Sequence, residues 1–196
     1  MTVAEHFSNS GKNVLLLFDS LTRYLRALRD LGLGAGELPI RQGYPASVFE
    51  DLPKLIERAG TSNRGSITAI FTLLSNNAID EDPMINEVIG VVDGQIELNT
   101  GLAQKGHFPA IDICSSMSRL SDQFISRSER TSINTLKQRF KDKQSRNIFS
   151  KDSVKKVAAE KVAGDDYESL SNFLTQDQKE YSCIEDTNKC FSNLTK

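Results

Sequence analysis

The sequence has no tryptophan, three cysteines, two histidines and five prolines among its 196 residues. No apolar run approaches the length of about 20 residues that a membrane-spanning helix needs. Cys114, Cys183 and Cys190 are odd in number and form no C-x-x-C pair, so we expect reduced, partly buried thiols rather than a zinc site. Residues 1–10 lack the basic cluster of a secretion signal. A cytoplasmic protein is the expectation.

The composition is that of an ordinary folded protein, with 38% hydrophobic and 26% charged residues. The net charge is −2, but residues 120–165 hold eleven Lys and Arg against six Asp and Glu, a local charge of +5. A basic segment of this kind binds nucleic acid in some proteins. We interpret it here as the solvated face of a helix and expect no nucleic-acid partner.

Several apolar runs indicate strands in the first part of the chain. Val14–Phe18, Ser66–Leu74 and Ala110–Cys114 are typical of strands buried on both faces, and Gln95–Leu98 is a weaker candidate. Between them, apolar residues at helical spacing predict a helix over Leu21–Leu31.

Local signals also predict where helices begin and end. We expect Gly32 to cap the helix that precedes it. Ser47 and Glu50 have the spacing of a capping box at the start of a second helix, which Pro53 is expected to kink. Ile85–Val92 predicts a third helix.

Strand signals disappear after Arg119. The remaining helix candidates are Ile125–Lys143, Val154–Val162, Tyr167–Leu174 and Ile184–Leu194. Strands that alternate with helices predict an α/β fold with a parallel sheet and flanking helices, followed by a small all-α domain. The predicted domains are residues 1–122 and 123–196.

Four apolar residues followed by an acid, Leu15 to Asp19, form a Walker B pattern. This pattern places a carboxylate at the end of a buried strand, where it binds magnesium beside nucleotide phosphates. The alternative is an aspartate that caps the next helix.

Longer blocks of sequence carry a more specific signal. They resemble the type III secretion and flagellar export ATPases, in order, over residues 14–37, 42–60, 65–74, 91–99 and 102–119. The resemblance is strong to about residue 120 and loose beyond it, and the segment after residue 142 has diverged. These families share a RecA-like core with the catalytic subunits of the rotary ATP synthases, so the resemblance implies a partial RecA-like sheet.

The resemblance also implies roles for individual residues. Asp19 matches the magnesium-binding residue, and Arg119 matches an arginine finger that reaches the ATP of a neighbouring subunit. Phe108 matches an aromatic residue that packs on adenine, and Arg23 matches an arginine that follows the Walker B strand. Ordinary structural roles are the alternatives: a surface arginine for Arg119, a core phenylalanine for Phe108 and a helix-surface charge for Arg23.

The implied partners follow from the same family. They are a homo-hexameric ring or an amino-terminal half of the ATPase, a central stalk, sorting-platform proteins, and secreted effectors with their chaperones. The loop Leu33–Tyr44 would face the central channel and stalk, although a flexible connector is the alternative. The expected location is the cytoplasmic face of the inner membrane, reached through the export apparatus.

The phosphate-binding motif G-x-x-x-x-G-K-[S/T] is absent from the sequence. In the resembled family this loop, and a glutamate that activates water, lie upstream of the Walker B strand. Binding of ATP and Mg²⁺ is therefore expected only together with a phosphate-loop half. Whether this chain is an enzyme stays open.

Two functions are consistent with these observations. The first is the carboxyl-terminal part of a type III secretion ATPase, which couples ATP hydrolysis to chaperone release and unfolding of secreted proteins and is inactive as an isolated chain. The alternative is a non-catalytic module that docks on export-ATPase subunits or their stalk, or the product of a truncated gene.

Overall fold

The computed structural model describes residues 1–74, 83–149 and 169–194. The chain divides into two compact units, Met1–Val92 and Asp93–Lys196. Each unit is described by itself below. The boundary predicted near residue 122 separates an ATPase core from a helical domain, and it stays a prediction.

The first unit alternates helices and strands. Its elements are α1 (Thr2–Asn9), β1 (Asn13–Phe18), α2 (Leu21–Gly34), β2 (Pro39–Arg41), β3 (Tyr44–Pro45), α3 (Ala46–Ile56), β4 (Gly60–Thr61), β5 (Ser66–Phe71) and α4 (Pro83–Val91). The predicted strands at Val14 and Ser66 and the predicted helices at Leu21 and Ile85 are confirmed.

The main sheet has the strand order β1-β5-β4. β1 and β5 are parallel, from the pair Asn13–Ser66 to the pair Phe18–Phe71, and β4 is antiparallel to the start of β5. The expectation that both strands are buried on both faces is wrong, because alternate residues of β1 are exposed. Among the residues that the structure describes, one face of the pair is covered and the other is not.

Helices α2, α3 and α4 form the core of the first unit. The buried side chains are Leu21, Leu25, Val48, Leu52, Leu55, Ile56, Met84 and Val88. They recur at helical spacing, so each helix presents one apolar stripe to the others. Complete burial of each large side chain contributes about 1.5–3 kcal/mol. Phe18 and Phe71 pack against this cluster from the sheet.

Two of the predicted helix ends are wrong. Gly32 lies inside α2, which runs to Gly34 and is capped by Ala35. A β-carbon at Gly32 would lie 2.8 Å from the Cγ of Pro45, so glycine is needed there for close packing. The capping box at Ser47 does not form, because α3 already begins at Ala46 after Pro45.

The second unit is mostly helical. Its elements are β6 (Gly94–Gln95), α5 (Thr100–Gln104), β7 (Met117–Ser118), α6 (Ser121–Phe124), α7 (Arg127–Phe149), α8 (residues 169–174) and α9 (Ile184–Leu194). The helices predicted at Ile125 and Ile184 are confirmed, and residues 169–174 of the one predicted at Tyr167 are helical. The candidate Val154–Val162 lies outside the described residues.

Helices α7, α8 and α9 share a small core. Leu136, Phe140 and Leu170 are buried, and Phe173 and Phe191 pack against them. The strand predicted at Ala110–Cys114 is wrong, because this stretch makes only an isolated bridge between Leu98 and Ile111 before the chain turns.

The predicted fold class is confirmed: a small parallel sheet with flanking helices is followed by a helical carboxyl-terminal part. Among the described residues, no helix combines the length and the apolar character needed to cross a bilayer.

Candidate functional site

Asp19 lies at the carboxyl end of β1, one residue beyond the last pair of the parallel ladder. Its Oδ1 accepts a hydrogen bond from the hydroxyl of Thr72 at 2.7 Å. Thr72 directly follows β5, so the two polar groups come from the ends of neighbouring strands. Ligands of parallel α/β sheets bind at this edge.

The turn after Asp19 is tied to the same edge. The backbone N–H of Leu21 donates to the carbonyl oxygen of Thr72 at 2.9 Å. Ser20 caps α2, and its Oγ accepts the N–H of Arg23 at 3.4 Å. Because Ser20 is the capping residue, Asp19 is not the cap of the next helix. Its carboxylate stays exposed at the end of the strand.

Arg23 lies in the first turn of α2, four residues after Asp19, and its side chain is exposed. This position is compatible both with the implied role near the nucleotide and with an ordinary helix-surface charge. The role of Arg23 therefore stays a prediction.

Arg119 directly follows β7. Its backbone N–H donates to the carbonyl oxygen of Asp93 at 2.8 Å, while Ser118 pairs with Gly94 in the short antiparallel ladder. The side chain is exposed. An arginine that acts on another subunit has to project from its own subunit, and this placement meets that requirement. The finger role stays a prediction.

Phe108 lies in the loop that follows α5, and its side chain is 55% exposed. Its carbonyl oxygen accepts the backbone N–H of Gln176 at 2.8 Å, which fixes the backbone of this loop. The ring does not fill the interior of the second unit, which argues against the alternative of a core phenylalanine. Contact with adenine stays a prediction.

Asp112 is a buried carboxylate that the sequence analysis did not single out, with 6% of the residue exposed. Its Oδ1 accepts the backbone N–H groups of Cys114 and Ser115 at 3.0 and 3.2 Å. Its Oδ2 accepts the side-chain amide of Asn99 at 3.1 Å. An aspartate that binds the N–H groups two and three residues ahead forms a tight turn.

The turn at Asp112 leads into β7 and therefore to Arg119. Ser116 continues the network: its Oγ donates to the carbonyl oxygen of Asp112 at 2.6 Å and accepts the N–H of Glu97 at 3.0 Å. Lys137 of α7 adds a hydrogen bond to the carbonyl oxygen of Ser116 at 3.1 Å. These bonds fix the path of the backbone that presents Arg119.

Cys114 lies beside this network, and its surroundings do not activate its thiol. Its Sγ lies 3.8 Å from the carbonyl oxygen of Lys137. Partial burial raises the pKa of the Cys114 thiol, and the nearby carboxylate of Asp112 raises it further. A raised pKa disfavours the thiolate, so we assign Cys114 a packing role.

The loop between α2 and α3 is a hairpin. β2 and β3 pair antiparallel, and the turn has positive φ at Gln42 and Gly43. Arg41 lies over the ring of Phe49, 5.9 Å from its centroid. Ile40 in β2 and Leu38 just before it are exposed. The hairpin therefore presents apolar side chains outward.

The residues present fit a magnesium–nucleotide complex better than a metal ion alone. Among the described residues, no three His, Cys, Asp or Glu side chains lie close enough together to bind a metal ion. Magnesium is commonly bound through one carboxylate together with phosphates and water. Asp19 would supply that carboxylate, and the phosphates would have to supply the rest.

The fold and the carboxylate at its strand end define part of a nucleotide-binding α/β core. Residues 1–118 match the family model described as ATP synthase alpha/beta family, nucleotide-binding domain. The chain belongs to this family. The resemblance to the type III secretion and flagellar export ATPases is confirmed by relatives in both groups.

The similarities to individual proteins are substantial. The chain is 52% identical over 122 residues to the SPI-1 type 3 secretion system ATPase of Salmonella typhi, covering 62% of the chain and 28% of that relative. It is 41% identical over 201 residues to a type 3 secretion system ATPase of Sinorhizobium fredii, and this match covers 98% of the chain and 44% of that relative. The second match extends beyond residue 120, so the similarity is not confined to the first part.

A solved structure is similar over the whole chain. It is the assembled ATPase EscN in complex with its central stalk EscO, from the type III secretion system of enteropathogenic E. coli, with a TM-score of 0.86 and 37% identity. The match covers 100% of this chain and 47% of that one. The chain thus spans less than half the length of these relatives, and it corresponds to a part of a type III secretion ATPase.

Proposed function

We propose that this chain supplies the magnesium-binding carboxylate and the arginine finger of a type III secretion ATPase. The observation that carries the proposal is the exposed carboxylate of Asp19 at the end of a parallel strand, held by the Thr72 hydroxyl at 2.7 Å. The second support is Arg119, exposed at the end of β7 with its backbone fixed by the turn at Asp112.

The nucleotide would be ATP with Mg²⁺. Asp19 would bind the ion or its water shell, and Phe108 would pack on the adenine. Arg23 would lie near the phosphates, where its positive charge favours their binding. Arg119 would stabilise the charge that develops on the transferred phosphoryl group of a neighbouring subunit. Hydrolysis then depends on an assembled ring, because no subunit completes a site alone.

The partners follow from this arrangement and from the EscN–EscO complex. We assign the chain to a hexameric ring at the cytoplasmic face of the inner membrane, acting on secreted effectors and their chaperones and linked to sorting-platform proteins. The hairpin β2–β3 would contact the stalk, because Ile40 in β2 and Leu38 just before it present exposed apolar surface.

A phosphate-loop half has to complete the site, since the 196 residues contain no G-x-x-x-x-G-K-[S/T] motif. The alternative is a non-catalytic module that docks on export-ATPase subunits. The two functions differ in one respect, which is whether Arg119 contributes to turnover.

A reconstituted enzyme tests the proposal. The chain is joined to the preceding portion of the Salmonella typhi SPI-1 ATPase, and ATP hydrolysis and nucleotide binding are measured for the parent fusion and for Arg119→Ala. We expect turnover to fall by about 10³-fold or more with nucleotide binding largely retained. Arg127→Ala, an exposed arginine in the first turn of α7, is the matched control and should leave turnover unchanged.

Equal turnover in Arg119→Ala and the parent fusion would remove Arg119 from the finger role. A parent fusion that assembles and binds ATP without hydrolysing it would favour the docking module instead.

A further inference from the structure

The segment from Asp112 to Arg119 begins with a single turn and ends with strand β7. In the turn, the N–H of Ser116 donates to the carbonyl oxygen of Asp112 at 2.9 Å. β7 then pairs with β6, and the N–H of Arg119 donates to the carbonyl oxygen of Asp93 at 2.8 Å. The direction in which Arg119 projects is therefore set by the backbone of this segment.

Charged groups bind the turn at both of its ends. At the amino end, the carboxylate of Asp112 accepts the N–H groups of Cys114 and Ser115. At the carboxyl end, the ammonium of Lys137 donates to the carbonyl oxygen of Ser116 at 3.1 Å. This placement of an anion and a cation is favourable, because the first N–H groups and the last carbonyl groups of a helical turn have no partner within it.

Lys137 reaches the turn from a different element, α7. Its side chain is half-buried, and the preceding Leu136 is buried in the core that α7 shares with α8 and α9. The Sγ of Cys114 donates to the backbone carbonyl oxygen of Lys137 at 3.8 Å. Ile113 and Cys114 also pack against this core. Lys137 therefore joins α7 to the turn through both its backbone and its side chain.

The carbonyl group of Ser116 lies close to Arg119 along the chain. Only Met117 and Ser118, the two residues of β7, separate them. The β6–β7 ladder has little room to adjust, since a β-carbon at Gly94 would lie 2.8 Å from the carbonyl oxygen of Met117. A rotation of the peptide group at Ser116 would consequently be transmitted along β7 to Arg119.

We propose that Lys137 is a positioning residue for Arg119. Its ammonium holds the Ser116 carbonyl in the orientation from which β7 directs the guanidinium of Arg119 toward a neighbouring subunit. Lys137 acts through the backbone of β7 and not on the nucleotide. A displacement of about 1 Å at a reacting group can lower a rate about 10²-fold, so such a bond can control turnover. The inference rests on the proposed function, which assigns phosphoryl transfer to Arg119.

Turnover by the fusion of this chain with the preceding portion of the Salmonella typhi SPI-1 ATPase tests the proposal. Lys137→Met keeps a long side chain and removes the donor. We expect kcat to fall roughly ten-fold to a hundred-fold, with the KM for ATP and nucleotide binding unchanged. Lys137→Arg restores a cationic donor and should recover most of the lost turnover.

Lys141→Met is the matched control. Lys141 lies one turn further along α7, is exposed and carries the same charge, so its substitution should leave turnover unchanged. A double variant separates positioning from a general structural effect. In the Arg119→Ala background, Lys137→Met should cause no further loss, because the group that Lys137 positions is already absent.

Hydrogen exchange of the 196-residue chain gives a measurement that does not depend on catalysis. In Lys137→Met, the amides of Ser116 and Arg119 should exchange roughly three-fold faster or more, because the turn opens more often. The amides of Leu136 and Phe140, within α7, should exchange at the parent rate, which verifies that the variant folds.

Several results would overturn the positioning role alone. They are an unchanged kcat in Lys137→Met when Arg119→Ala loses turnover, an equal loss in Lys141→Met, a further loss in the double variant, and unchanged exchange at Arg119. Absence of turnover in the parent fusion, or parent-like turnover in Arg119→Ala, would instead overturn the proposed function, and Lys137 would then have no transfer group to position.

Discussion

The buried Asp112 influences the exposed Arg119 only through the backbone, because its side chain fixes the turn that leads into β7. Its carboxylate binds two backbone N–H groups and one side-chain amide, and all three donors would lose their partner if the side chain were removed. A buried donor left without an acceptor costs about 1–3 kcal/mol, and these three donors are only partly buried, so water can satisfy some of them.

We therefore expect Asp112→Ala to lower the free energy of unfolding by about 1–3 kcal/mol, measured by urea denaturation. Asp122→Ala is the control. Asp122 forms an exposed ion pair with Arg130 at 2.7 Å, and such a pair is worth less than about 1 kcal/mol. Equal losses for the two variants would contradict the structural role of Asp112.

The sequence predicted some site residues and missed others for a physical reason. Asp19 and Arg119 lie within ordered blocks of family resemblance, so their positions were predicted. Thr72 binds Asp19 across 53 positions of sequence, and such a contact leaves no local pattern. Asp112 lies in a stretch whose apolar and polar residues alternate as they do in a strand. The pattern therefore predicted a strand there, and not the turn that the Asp112 side chain stabilises.

At the scale of elements, an ion pair with two hydrogen bonds joins α1 to the segment after α3. The guanidinium of Arg58 donates to both carboxylate oxygens of Glu5 at 2.7 Å, and it also reaches the hydroxyl of Thr2 at 3.2 Å. The hydrogen bond from Arg58 lowers the pKa of Glu5. Because the pKa of Glu5 is lower in the folded state, the stability that this contact provides depends on pH.

The sign of the effect is fixed by the direction of that shift. Because the pKa of Glu5 is lower in the folded state, the contact stabilises the fold above the unfolded pKa of about 4.5 and is lost as pH falls through the folded value. We expect Glu5→Gln to lower the urea midpoint near neutral pH and to match the parent in acid. Glu50→Gln, at an exposed glutamate of α3, serves as the control.

A difference between Glu5→Gln and the parent that persists unchanged in acid would contradict this linkage. It would show instead that the substitution acts through packing of α1.

The order of helices and strands could be predicted from the periodicity of apolar residues. The residues at which these elements end, and the faces that they bury, could not. The apolar run from Val14 predicted β1, yet nothing in it indicates that only one face is covered. Gly32 looked like a helix end, and the structure uses it for the close approach of Pro45 to α2. Both differences come from tertiary packing, which a local pattern does not encode.

At the scale of the whole molecule, the 196 residues carry Asp19 and Arg119, which we propose for magnesium binding and phosphoryl transfer, but no G-x-x-x-x-G-K-[S/T] motif that would bind the phosphates. We expect the isolated chain to show no measurable Mg-ATP hydrolysis in a phosphate-release assay, because little would hold the phosphates. The fusion with the SPI-1 portion is the positive control. Turnover by the isolated chain that Asp19→Ala abolishes would contradict this expectation.

Helix α2 connects the carboxyl end of β1 with the β2–β3 hairpin. It begins two residues after Asp19 and ends at the approach to the hairpin, and its 14 residues span about 21 Å. Leu21 and Leu25 anchor it firmly in the core. A helix packed in this way would carry a displacement of the hairpin to the carboxyl end of β1, so stalk contact at the hairpin would change the position of Asp19.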